Sequence, residues 1–134
     1  MILVVDDEAL VAEALTDILE VLGYEAVSAA RAQEAMTLLE NYGQAIKLAI
    51  VDLKLHGENG INLFQRLKRR EPHIKGILTS GNPPQNGDRR WEEQGFDRCL
   101  AKPFSIDQVA GTVEQVLANA PQMQLADTGE LSLI

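Results

Sequence analysis

The sequence predicts an α/β domain: one parallel sheet, doubly wound, with helices on both faces. Two observations predict it. Five short apolar runs alternate with longer stretches of helical period, and three of those runs are almost wholly apolar, as parallel strands buried on both faces must be. A third observation concerns chemistry. Carboxylates, hydroxyls and a lysine stand immediately after the apolar runs, where parallel strands bring their C-terminal ends to one edge.

The predicted strands are Ile2–Val5, Glu25–Ser28, Lys47–Val51, Gly76–Thr79 and Arg98–Ala101. Val11, Leu15, Ile18, Leu19 and Leu22 form the stripe of the first helix, and Gly23 is placed to end it. Ala32, Ala35, Met36 and Leu39 stripe the second helix, and Ile61, Phe64 and Leu67 the third. The fourth is short, because Pro83-Pro84-Gln85-Asn86-Gly87-Asp88 is turn chemistry and a helix begins only near its end; Trp91 falls there as a core anchor or a partner contact. Ser105 sits at the N-cap position before Ile106, Val109, Ala110, Val113, Val116 and Leu117 of the last helix. Right-handed crossovers and the doubly wound order 2-1-3-4-5 set the first and third strands side by side, with the ligand site outside their C-terminal ends.

That edge gathers Asp6, Asp7 and Glu8 after the first strand and Asp52 after the third. It adds Thr79-Ser80-Gly81 after the fourth and Lys102-Pro103-Phe104 after the fifth. Three carboxylates at close range raise the pKa of at least one of them unless a cation intervenes. Magnesium suits the set, since it takes oxygen ligands, uses one or two carboxylates and keeps several waters. An open magnesium site beside a carboxylate, a hydroxyl and a lysine fits phosphoryl transfer. A carboxylate of the set can act as nucleophile, with Lys102, a hydroxyl and backbone N–H groups covering the transferred oxygens.

The bulk numbers narrow the function. The 134 residues suit a single domain, with 46% apolar residues to fill its core. Lys and Arg total 12 against 20 Asp and Glu, for a net charge of −8, so binding of nucleic acid or an anionic membrane by this domain is not expected. Lys68-Arg69-Arg70 is the basic exception and reads as the solvated end of a helix. The single cysteine, Cys99, permits no internal disulfide and fits a reducing, cytoplasmic setting. The first residues lack the character of a signal peptide, no apolar run approaches the roughly 20 residues needed to span a bilayer, and a soluble protein is expected. The stretch after Pro121 has no period and reads as a tail or the start of a linker.

Five pieces, in order and at matching spacing, resemble the response-regulator receiver family. They are Val4-Val5-Asp6-Asp7-Glu8; Ile50-Val51-Asp52-Leu53; Gly60, eight residues after Asp52; Ser80-Gly81; and Lys102-Pro103-Phe104. The likeness runs from about residue 2 to residue 119 and implies a flavodoxin-like receiver domain over 1–120, with 121–134 as tail or linker. By this resemblance Asp52 is the phosphoacceptor, Asp6 and Asp7 the acidic metal pair and the Lys54 carbonyl a further metal ligand. Lys102 is the phosphate-pairing lysine, and Pro103 the family's cis-proline. Of Thr79 and Ser80, the family spacing favours Ser80 as the switch hydroxyl. Lys54 and Asn82 flank the site and are expected to tune dephosphorylation. The implied function is a phosphorelay switch, not an enzyme on external substrates. With Mg²⁺ bound, it would take a phosphoryl group from the phosphohistidine of a histidine kinase or a histidine phosphotransfer protein, as a stand-alone regulator or the receiver of a hybrid histidine kinase, with a homodimer also open.

The chain departs from the pattern at Cys99, where the family often carries an aromatic residue or histidine, and at His56 and Gly57, in a loop where proline is common; His56 reads as exposed. Two other readings compete. A haloacid-dehalogenase-type enzyme would need a second aspartate two residues after Asp6, where Glu8 stands. A degenerate receiver would serve only for docking or dimerisation.

Overall fold

A computed structural model describes residues 1–81 and 89–118 of the chain. The expected turn at 83–88, the flanking Asn82 and the tail at 121–134 lie outside the described residues. In chain order the elements are β1 (Ile2–Val5), α1 (Ala9–Val21), β2 (Ala26–Ala29), α2 (Ala32–Tyr42), β3 (Leu48–Asp52), β4 (Lys54–Leu55), β5 (Glu58–Asn59), α3 (Gly60–Arg70), β6 (Lys75–Ser80), α4 (Arg90–Glu93), β7 (Arg98–Ala101) and α5 (Ile106–Ala118). A single 3₁₀ turn, Gly43–Ala45, follows α2.

The main sheet has the order β2-β1-β3-β6-β7 with every pairing parallel, which is the predicted 2-1-3-4-5 order once its five strands alone are counted. β4 and β5 form a separate two-residue antiparallel ladder around His56 and Gly57, which no apolar run announces. Gly57 turns it at φ +80°.

Alternation along the strands divides the core in two. Leu3, Val5, Ala49, Val51 and Leu78 pack with Ala35 and Leu39 of α2 and Leu63, Phe64 and Leu67 of α3. Ile2, Val4, Leu48, Ile50, Ile77 and Leu100 pack with Ala12, Leu15 and Leu19 of α1 and Val109, Val113 and Val116 of α5. Every residue of β1 and β3 is buried, which explains their unbroken apolar character.

The helix ends follow their local chemistry. After α1, Tyr24 N–H donates to Leu19 O at 2.9 Å and Gly23 N–H to Glu20 O at 3.0 Å, a Schellman closure that Gly23 permits at φ +98°. Ser105 and Gln108 cap α5 reciprocally: Gln108 N–H donates to Ser105 Oγ at 3.1 Å, and Ser105 N–H to Gln108 Oε1 at 2.8 Å. Asn59 Oδ1 accepts from Ile61 N–H at 2.7 Å at the start of α3.

Three expectations shift. Leu22 and Ile106 are exposed, because each sits at a helix end beyond the reach of the sheet, and Ala12 takes the buried place in α1. Lys68 is not a solvated helix end: its ammonium donates to Ile74 O at 2.6 Å and Pro72 O at 3.2 Å and lies 5.9 Å from the Phe64 ring centroid. Burial, with Lys75 nearby, holds that ammonium below the ordinary lysine range, and Asp97 opposes the shift. Trp91 is half-buried against the α2–α3 core, as is Cys99, whose thiol burial pushes above its ordinary range.

Candidate functional site

The sheet ends build an open cleft of about 420 Å³, lined among others by Asp7, Glu8, Asp52, Lys54, Ser80 and Lys102. Asp6 lies beneath it, buried at the end of β1, and Asp52 closes β3. Two backbone bonds tie the neighbouring ends together: Leu53 N–H donates to Thr79 O, and Lys102 N–H to Ser80 O, each at 2.9 Å. The Lys102–Pro103 peptide is cis.

Lys102 organises the charge. Its Nζ lies 2.9 Å from Asp6 Oδ2, 3.2 Å from Asp52 Oδ2 and 3.2 Å from Glu8 Oε1. Burial alone would depress this ammonium. The close approach and negative charge of Asp6, then of Asp52, outweigh burial and hold it above the ordinary lysine range. Asp52 moves the other way from an ordinary paired carboxylate. Burial and the negative charge of Asp6 raise its pKa, and the Lys102 ammonium and the Lys54 peptide N–H only partly offset them. One cation is thus shared by more anions than it can neutralise.

Oxygen atoms of Asp6, Asp7 and Asp52 lie within 4.8 Å of one another, a group able to hold a metal ion. Asp6 divides its two oxygens. Oδ1 accepts Glu8 N–H at 2.9 Å, whereas buried Oδ2 has the Lys102 charge beside it but no hydrogen-bond donor in good geometry. An orphaned buried carboxylate oxygen among hard oxygen donors fits a divalent cation of the magnesium type.

Every residue of the predicted constellation lies at this edge. Ser80 and Thr79 are both buried, but Ser80 lines the cleft, while Thr79 stands in register between Asp52 and Leu100. Lys54 has its side chain in solvent and its peptide N–H turned to Asp52. His56 is exposed in the β4–β5 turn. Gly60 has a definite reason to be glycine: a Cβ there would stand 2.0 Å from the Asp52 carbonyl oxygen. Glu8 was visible as the third acid of the first strand's end, but no spacing rule marks it as a partner of Lys102.

A doubly wound sheet whose switch-point edge carries an acidic pocket, a hydroxyl and a lysine defines the class of phosphoryl-accepting signalling domains. The family model for the response regulator receiver domain matches residues 2–114, and the chain belongs to that family, the phosphoacceptor domains of two-component signalling. Among curated relatives, the phosphate regulon transcriptional regulatory protein PhoB of Pseudomonas aeruginosa is 33% identical over 118 residues, covering 87% of this chain and 51% of its own length. The sensor kinase CckA of Brucella abortus is 30% identical over 116 residues, 87% of this chain and 12% of that protein. The chain therefore spans about half, or much less, of these relatives. Among solved structures, the receiver domain of NtrX from Brucella abortus superposes with a TM-score of 0.80 at 26% identity, covering 89% of this chain and 99% of that one.

Proposed function

We propose that Asp52 accepts a phosphoryl group from the phosphohistidine of a histidine kinase or histidine phosphotransfer protein, and that the chain works as a cytoplasmic switch. The observation that carries this reading is the Lys102 ammonium held between Asp6 and Asp52 in a cleft that Ser80 lines. An Asp52 carboxylate oxygen forms the new P–O bond while the donor's P–N bond breaks and its electron pair stays on the histidine nitrogen. Lys102 turns its charge to a phosphoryl oxygen, and Ser80 with adjacent N–H groups approaches another. Asp6, Asp7, Asp52 and the Lys54 carbonyl would hold Mg²⁺, which when bound neutralises phosphoryl charge. The same groups serve hydrolysis of the aspartyl phosphate, so the domain assists its own transfer and its own reset without acting on an external substrate. Movement of Ser80 toward the phosphoryl group biases the two-state equilibrium of the domain. With Cys99 beside β6 in place of an aromatic, that movement lacks the usual ring to follow it. A net charge of −8 argues for a protein partner rather than nucleic acid or membrane.

Intact-mass measurement with acetyl phosphate tests this on wild type and Asp52→Asn, with and without magnesium. A base-labile adduct on wild type alone, dependent on magnesium, is the expected result. Equal labelling of the variant overturns the assignment, and no labelling of folded wild type leaves a docking module.

A further inference from the structure

The ammonium of Lys102 has three N–H donors and meets three carboxylates, at 2.9 Å (Asp6), 3.2 Å (Asp52) and 3.2 Å (Glu8). It is therefore surrounded by acids before any phosphoryl group arrives. Two of these partners are fixed: the side chains of Asp6 and Asp52 are 1% and 9% exposed. The third is different. Glu8 is 64% exposed and comes from the N-cap residue of α1, where its side chain makes no capping bond. The Glu8 carboxylate is thus not held by the helix end, and it bonds the ammonium across 94 residues of sequence.

We infer that Glu8 is a positioning residue that restrains Lys102, a carboxylate that competes with an incoming phosphoryl group for one N–H of the ammonium. This deepens the reading of Asp52 as phosphoacceptor and rests on it. The ammonium donates to Glu8 and to Asp52, each at 3.2 Å, with Asp6 beside it as an ion pair, so a phosphoryl oxygen on Asp52 competes with these acids for its charge, and the exposed Glu8 is the weakest holder. An exposed ion pair of this kind is worth up to about 1 kcal/mol, which is roughly fivefold in an equilibrium constant. Glu8 therefore sets the threshold for modification, and its neutralisation lowers that threshold without touching the acceptor.

The test is equilibrium binding of beryllofluoride in saturating magnesium, followed by ¹⁹F NMR, with magnesium affinity measured separately by calorimetry. Wild type, Glu8→Gln and Glu8→Ala are compared at low and at high salt. Both variants should bind beryllofluoride about twofold to fivefold more tightly. The gain should shrink at high salt, where an exposed pair is screened, and magnesium affinity should stay at the wild-type value. Unchanged or weaker beryllofluoride binding in both variants overturns the restraint. So does a loss of magnesium affinity, which would make Glu8 a metal ligand, or a gain indifferent to salt, which would make it structural. Failure of wild type itself to bind beryllofluoride would fall instead on the phosphoacceptor reading, so the two are separable.

Discussion

At the scale of single residues, the site is held in a state that folding alone would not choose. Asp52 has a raised pKa in the folded protein, so the native state binds more protons than the unfolded chain once pH rises above the ordinary carboxylate value of 3.8. Stability attributable to this group therefore falls as pH climbs from there through the raised value, and the ionised form is a cost at neutral pH. Asp52→Asn should stabilise the metal-free protein at pH 7, since it removes that cost. Urea denaturation in EDTA should show this gain fading as pH is lowered toward 3.8. Lys102→Ala should act in the opposite sense, costing about 3 kcal/mol because two buried carboxylates lose their cation. Added magnesium should restore part of that loss, and an unchanged denaturation midpoint would remove Lys102 from the electrostatic centre. Ser80→Ala should blunt the conformational response to beryllofluoride more than Thr79→Ala does; the reverse ranking would give the switch to Thr79.

At the scale of elements, two glycines on helices make opposite predictions. A Cβ at Gly60, the first residue of α3, collides with the backbone carbonyl of Asp52 at 2.0 Å, and backbone cannot swing aside. Gly60→Ala should cost about 2 kcal/mol and should also weaken beryllofluoride binding, because relief of the clash moves the strand end that carries Asp52. At Gly111, inside α5, an added Cβ would meet nothing within 4 Å. Gly111→Ala should therefore stabilise by about 0.5–1 kcal/mol and leave binding alone, as thermal melts and titrations of the pair would show. These elements also mark what the sequence discloses. Gly23 and Ser105 announce their helix ends because capping is decided by neighbours in the chain. Lys68 gave no such signal: it sits in a run of basic residues, and only the fold supplies the carbonyls of Pro72 and Ile74. The β4–β5 ladder escaped notice because two residues per strand carry no period.

At the scale of the whole molecule, strand order and layers were legible because a parallel sheet writes its burial into unbroken apolar runs. The location of the site followed, since all five strands deliver their C-terminal ends to one edge. The finer geometry was not legible. Alternation says that only one of Thr79 and Ser80 faces the cleft, and register with β3 and β7 decides which. The bond between Glu8 and Lys102 spans too much sequence for any local rule. A site drawn from both ends of the domain also couples ligand to global stability. Magnesium should raise the melting temperature of wild type progressively with concentration, and Asp6→Asn should lose most of that response; an equal response in the variant would place the ion elsewhere.

The distance in sequence between the acids after β1 and the lysine after β7 has a consequence for biosynthesis. A ribosome has to release nearly the whole domain before Lys102 can reach Asp6 and Asp52, so a nascent or truncated chain presents its acids without their cation. Such a fragment lacks the one ammonium that Asp6 and Asp52 share in the folded domain. A chain cut before β7 should therefore bind beryllofluoride far more weakly than the whole domain, as titration of such a fragment would show.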